Sequence, residues 1–156
     1  MAIEEGKKAP PFQLVDVDGG TVALADFAGK DLILYFYPKD NTPGCTKEAC
    51  GFRDRWSAIE KRGVVVVGVS PDDQISHEQF REQFNLPFRL LSDPDKKMMK
   101  AYGAYGEKTT YGKTSEGTIR STVWIGADGL VKKHWKKVAN AEAHPAEVLT
   151  ALGVVA

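Results

Sequence analysis

The chain has 156 residues, 42% hydrophobic and 27% charged, with 21 basic side chains balancing 21 acidic ones. That length suits one domain with a sizeable core, 1–156, and a net charge of zero gives no electrostatic reason to expect nucleic acid or an anionic membrane as partner. No apolar run approaches the ~20 residues that span a bilayer, the opening MAIEEGKKAPPF lacks the apolar core of a secretory signal, and two cysteines are too few for a secreted disulfide scaffold.

A reducing, cytoplasmic setting is therefore expected. There, a close cysteine pair points to catalysis or metal binding more than to a structural bridge.

In chain order, FQLVDVDGGTVAL (Phe12 to Leu24) alternates apolar and polar residues around a DGG turn and predicts a hairpin. DLILYFYP is a continuous apolar run ending at Pro38, as expected of a strand buried on both faces. From Pro43 to Arg62 the period becomes helical. Cys45, Ala49, Phe52, Trp56 and Ile59 form one stripe, with Gly63 placed as a C-cap. VVVVGVS (Val64 to Ser70) is a second apolar strand, which completes a right-handed βαβ unit. SHEQFREQF predicts a short helix, FRLLSD a strand, and DPDKKMMKAYG a helix starting after Asp93-Pro94. Gly103 to Gly117 is rich in glycine and threonine and reads as a long loop. IRSTVWIGADGLVKKHW predicts two strands around Asp128-Gly129, and a final helix covers roughly 141–152. The fold class is α/β with an N-terminal hairpin, without repeats or linkers.

Both cysteines fall in one stretch, PKDNTPGCTKEAC, from Pro38 to Cys50. Thr42 before Pro43 has the form of a helix start, a hydroxyl N-cap followed by proline at the first helical position. Cys45 then lies in the first turn, where unpaired N–H groups and the helix dipole favour a thiolate over a thiol. The preceding strand ends at Pro38, and open α/β sheets place their chemistry at such carboxyl ends. Gly44 leaves room for a substrate against the backbone.

Cys50 lies ~100° around from Ala49, off the stripe and nearer solvent. A lone cysteine on an apolar helix face is more often a plain core residue. The N-terminal position, the second thiol and the Pro-Gly turn argue against that here. Zinc fits poorly, since four ligands are normal and only His77, His134 and His144 are left to assist, none at a ligand-pair spacing. An intact helix would hold the two Cα atoms ~8.6 Å apart, against the ~4.4–6.8 Å that a disulfide spans. A permanent bridge is excluded, and a redox couple that forms and breaks remains.

Pro38, Thr42 and Cys45 make up P-x-x-x-T-x-x-C, which resembles the active-site motif of peroxiredoxins. The longer YPKDNTPGCTKEAC is similar to the PrxQ, or bacterioferritin comigratory protein, branch, whose resolving cysteine lies five residues after the peroxidatic one. The likeness continues through GKKAPPFQL, VVGVSPD, LLSDPD, YGKTSEGTIRSTVWI and the final ADG turn, nearly the whole chain. It implies a thioredoxin-like fold, a central mixed β-sheet flanked by helices. It also implies reduction of hydrogen peroxide and organic hydroperoxides without metal, haem, flavin or other cofactor.

By the same resemblance, Cys45 is peroxidatic and Cys50 resolving, and Thr42 hydrogen-bonds the sulfur and the peroxide oxygen. Arg120, in the R-S-T strand, sits beside the thiolate, and Pro38 shields the pocket. A fixed cation aimed at the departing oxygen is the machinery that O–O cleavage needs, and arginine serves better than lysine. Glu48 is placed either to orient Arg120 or as a solvated helix residue. The implied reductant is thioredoxin or a glutaredoxin-like protein, and a resolving thiol in the same chain is compatible with a monomer.

Trp124 and Gly126 depart from the family's phenylalanine and aspartate, a matter of packing more than chemistry. Two other functions remain open from the residues alone. A protein thiol–disulfide oxidoreductase is disfavoured by the missing C-x-x-C, whereas a non-enzymatic peroxide sensor would use the same two thiols. GEKTTYGKT (Gly106 to Thr114) imitates a P-loop but has five residues between its glycines where four are required. Lys132, Lys133, Lys136 and Lys137 read as a solvated face.

Overall fold

The computed structural model describes residues 3–110 and 112–153, without the side chains of 108–110. Strands β1 (Gln13–Asp16) and β2 (Thr21–Ala23) form the expected hairpin, and a short 3-10 turn, Leu24–Phe27, leads to β3 (Asp31–Phe36). Helices α1 (Pro43–Asp54) and α2 (Trp56–Arg62) follow, then β4 (Val64–Ser70), α3 (Gln74–Phe84), β5 (Arg89–Ser92) and α4 (Lys97–Ala101). The chain continues with β6 (Tyr105–Thr110), β7 (Lys113–Thr118), β8 (Ser121–Ile125), β9 (Val131–Trp135) and α5 (His144–Ala151). Seven strands make one mixed sheet in the order β2-β1-β5-β4-β3-β8-β9, with β3, β4 and β5 parallel and the outer pairs antiparallel.

The apolar run of β3 is explained by its central place. Ile33, Tyr35 and Tyr37 face a core under α1, α2, α3 and α5, while Leu32, Leu34 and Phe36 face a second core with Met98, Met99 and Tyr102. Alternation in a strand sends successive side chains to opposite faces, and here both faces are covered. The helical stripe is seated as expected: Cys45, Ala49, Phe52 and Ile59 are buried against Tyr35 and its neighbours, with Trp56 half-buried.

Two expectations are corrected. The single helix from Pro43 to Arg62 is broken at Arg55, whose backbone (φ −106°, ψ 10°) leaves the helical well. The Arg55 amide bonds back to the Phe52 carbonyl, and the Gly51 carbonyl it would have taken accepts from Arg55 Nη1 at 3.0 Å instead. The apolar stripe runs unbroken across this point, so periodicity carries no trace of the break. Gly63 ends α2 in the left-handed conformation (φ 77°), as its position predicted.

The second correction concerns 103–117, which forms the β6–β7 ribbon instead of a loop. Its described β7 side chains are mostly exposed, so no apolar alternation marks it as strand. Tyr111, inside the P-loop look-alike, lies outside the described residues. No described helix is long and apolar enough to cross a membrane.

α5 grips the middle of α1. A Cβ on Gly51 would stand 2.6 Å from the Pro145 ring, and the Phe52 ring meets His144 edge-on at 6.5 Å. Gly51→Ala should therefore destabilise the fold despite a gain of about 1 kcal/mol in helix propensity. Overpacking against a rigid ring costs roughly 1–3 kcal/mol. Chemical denaturation is expected to show lower stability, and an unchanged or higher midpoint would mean that α5 does not clamp α1.

Candidate active site

β3 and β8 run antiparallel, with Phe36 opposite Ser121. The carboxyl end of β3, which leads into α1, therefore lies beside the amino end of β8, where Arg120 stands. Cys45 and Glu48 are three residues apart on α1 and share one face. Strand pairing thus brings together residues 72 and 75 positions apart. Arg120 Nη1 donates to Glu48 Oε1 at 2.7 Å, and Nη2 donates to Cys45 Sγ at 3.2 Å.

The trio is nearly dry: Cys45 is 1% and Glu48 0% exposed, while the Arg120 side chain retains 17%. Gly44 provides the room, since a Cβ there would lie 3.1 Å from Arg120 Nη2. Outside it, a depression of about 440 Å3 opens between Gly44, Lys47 and Ala141, with Arg120 in its wall.

The electrostatics differ at the two ends of the fork. Burial pushes the Glu48 carboxyl up to about 7, with Arg120 pulling the other way. At Arg120 burial opposes the charge, but Glu48 and Cys45 outweigh it and hold the guanidinium above its ordinary value. Glu48 Oε2 is buried without a hydrogen-bond partner, and so is the Tyr35 hydroxyl. Burial, then the charges of Glu48 and Cys45, push Tyr35 ionisation far up. Cys50, half-buried on the same helix, is a free thiol like Cys45. Burial raises its thiol and Arg53 partly opposes this.

Thr42 is the N-cap residue of α1, but its hydroxyl makes no capping bond; it donates to the Lys39 carbonyl at 2.8 Å. The predicted hydroxyl cap is thereby corrected. With its donor committed, Thr42 Oγ1 offers acceptor lone pairs only. Pro38 is half-buried and, with Lys96, Tyr105 and Thr118, lines a second depression of about 400 Å3 under the β6–β7 ribbon.

The sequence reading missed what fixes the loop between β3 and α1. The Asp40 carboxylate accepts from the Tyr37 hydroxyl, Ser76 Oγ (2.8 Å) and His77 Nδ1 (2.7 Å), and its amide donates to Asp72 Oδ2 at 2.7 Å. His77 Nε2 reaches the Leu91 carbonyl at 3.0 Å. Asp40, Asp72 and His77 have ligand-type atoms within 4.8 Å of one another. These atoms are engaged in the network, with Asp72 Oδ2 also accepting from Ser70 Oγ at 2.7 Å, so the cluster reads as an anchor for the loop. Of the other histidines weighed as metal ligands, His144 hydrogen-bonds Thr122 Oγ1 at 2.7 Å and packs edge-on against Trp135, and His134 lies on β9. Trp124 donates to Asp31 Oδ1 at 3.2 Å, and the space beside Gly126 is filled by Lys132.

The AhpC/TSA family matches residues 5–134. Peroxiredoxin Bcp of Bacillus subtilis is 46% identical over 152 residues, covering 97% of this chain and 96% of that protein. Among solved structures, the bacterioferritin comigratory protein of Xanthomonas campestris, described for alkyl peroxide reduction, superposes with a TM-score of 0.88 at 34% identity. That match covers 96% of this chain and 98% of the other. PrxQ of Xylella fastidiosa gives a TM-score of 0.91 at 32% identity, with 98% and 97% covered.

His144 gives the site a measurable pH signature. Burial, then the neighbouring Arg120 charge, push it down to about 4. Unfolded, it would titrate near ~6.5, so the unfolded state binds more protons and stability falls as pH drops through the window between. The raised Glu48 acts in the opposite sense in both proteins and cancels in a comparison with His144→Gln, whose amide matches the reach of Nε2. Relative to that variant the wild type should lose about 3 kcal/mol across the window. Parallel stability curves would contradict a buried neutral His144.

Proposed function

The chain belongs to the AhpC/TSA family and, within it, to the Bcp/PrxQ peroxiredoxins, and from that premise we propose that Cys45 is the peroxidatic nucleophile and Cys50 the thiol that resolves it. As a peroxiredoxin it is a thiol-dependent peroxidase with a thioredoxin-like fold, acting on hydroperoxides at the expense of a thiol reductant. The observation that carries the residue assignment is the Arg120 fork, which reaches the Cys45 sulfur from a side chain that only the β3–β8 pairing brings near.

The Cys45 thiolate attacks the terminal oxygen of R–O–O–H, and the S–O bond forms as the O–O bond breaks. Negative charge grows on the departing oxygen, where a fixed guanidinium stabilises the transition state more than the ground state. Thr42 Oγ1 accepts the peroxide O–H, because its own proton is held by Lys39. Pro38 keeps the approach dry. The depression beside Gly44 and Ala141 has room for an alkyl group, which supports organic hydroperoxides as well as hydrogen peroxide, in keeping with the described activity of the Xanthomonas relative. Cys50 then condenses with the sulfenic acid, and thioredoxin or a similar dithiol reduces the bridge in a cytoplasmic monomer.

Substitution separates the two thiols. Cys45→Ser should abolish peroxide consumption, because an alkoxide is not available near neutral pH. Cys50→Ser should consume one equivalent, stop as sulfenic acid and overoxidise more readily. A peroxide-consumption assay with thioredoxin and its reductase checks both. Sustained turnover without Cys45 would remove the nucleophile assignment, and full turnover without Cys50 would place resolution outside the chain.

A further inference from the structure

The corner beneath α1 holds two acids buried from water, Cys45 and Glu48, and one largely buried cation, Arg120. Arg120 divides its fork between Cys45 Sγ and Glu48 Oε1. The titratable groups nearby add no net positive charge. Tyr35 on β3 stays un-ionised, Asp40 in the loop after β3 and His77 on α3 pair with each other, and His144 on α5 is neutral near pH 7. Lys47, on the outer side of α1, pairs with Glu142 in solvent.

A Cys45 thiolate and a Glu48 carboxylate together would place two negative charges against one positive charge in a dry site. An uncompensated buried charge is strongly destabilising. Glu48 carries the sign of which acid stays neutral. Its Oε2 has no hydrogen-bond partner and is fully buried, which suits a neutral carboxyl far better than an ion, because burial penalises the charged form.

We infer that Glu48 is the proton holder of the site, protonated while Cys45 is a thiolate and ionised once the sulfur has become a neutral sulfenic acid. The inference rests on Cys45 as the nucleophile. Sulfur gives up an electron pair to the hydroxyl oxygen of R–O–O–H, the O–O bond breaks, and R–O⁻ departs. The proton on Glu48 converts R–O⁻ to R–OH, and the carboxylate left behind pairs with Arg120. When the disulfide is later reduced to thiols, the Cys45 proton returns to Glu48 as the thiolate reforms. Atoms and charge balance through the cycle, and the corner never carries more than one anion. The position of Glu48, raised by burial to about 7, lets it take up and release a proton near neutral pH.

Infrared difference spectroscopy on Cys50→Ser protein, which stops at sulfenic acid, reads the carboxyl directly. One equivalent of hydrogen peroxide near neutral pH should remove a protonated-carboxyl C=O band and add carboxylate bands, one carboxyl per Cys45 oxidised. The same experiment on Cys50→Ser carrying Glu48→Gln should lack both changes. Sulfenic acid is followed by mass in the same samples. If it forms without the band loss, the Glu48 inference is overturned and the Cys45 assignment stands; if none forms, the assignment beneath it is overturned. Should the double variant not fold, Cys45→Ser serves instead. Its neutral hydroxyl should leave Glu48 more ionised just above neutral pH than in the reduced wild type, and equal carboxyl bands in the two proteins would overturn the inference.

Discussion

The site depends on α1 remaining wound. As a helix, it turns Cys45 and Glu48 to the same side and seats its apolar stripe on Tyr35 and Phe52's neighbours. In this state Arg120 is held between the two side chains. The same winding keeps Cys45 and Cys50 too far apart to bond, since a five-residue helical separation is ~8.6 Å. On the roles proposed for Cys45 and Cys50, activation and resolution require two different conformations of one short segment.

The surrounding fold limits that segment on three sides. At its C-terminal end, the break at Arg55 separates α1 from α2, whose Ile59 is anchored in the core. Before it, the Asp40 network ties the loop to β4 and α3, so Pro38 and Thr42 stay in place. Across its middle, Pro145 and His144 of α5 press on Gly51 and Phe52 and favour the wound state. Burial raises the Cys50 thiol and so favours its protonated form in this state, which fits the proposed resolving role.

Much of this was legible in the residues. The uninterrupted apolar runs of β3 and β4 announced a covered central sheet, and the helical stripe separated a buried Cys45 from a half-buried Cys50. What stayed hidden did so for physical reasons. The β6–β7 ribbon is polar on its described surface, so its backbone pairing leaves no periodic signal. The Arg55 break is invisible because packing continues across it. Thr42 had the identity of a cap, but its hydroxyl found a nearer acceptor in Lys39. Asp40 meets Asp72 and His77 across 32 and 37 positions because β3 and β4 end side by side, with only the adjacent Asp72-Asp73 pair as a hint of a polar strand end. Arg120 alone would have passed for an edge charge; the motif around it carried the expectation.

The measurement that bears most directly on this picture is amide hydrogen exchange before and after oxidation by one equivalent of peroxide, followed by mass analysis of the product. Helix ends open at low free-energy cost, so a segment freed by a bridge exchanges quickly. The expected result is an intrachain Cys45–Cys50 disulfide in a monomer, with faster exchange confined to about residues 42–55 and reversed by reduction. Unchanged protection over that segment, or a disulfide joining two chains, would contradict the account.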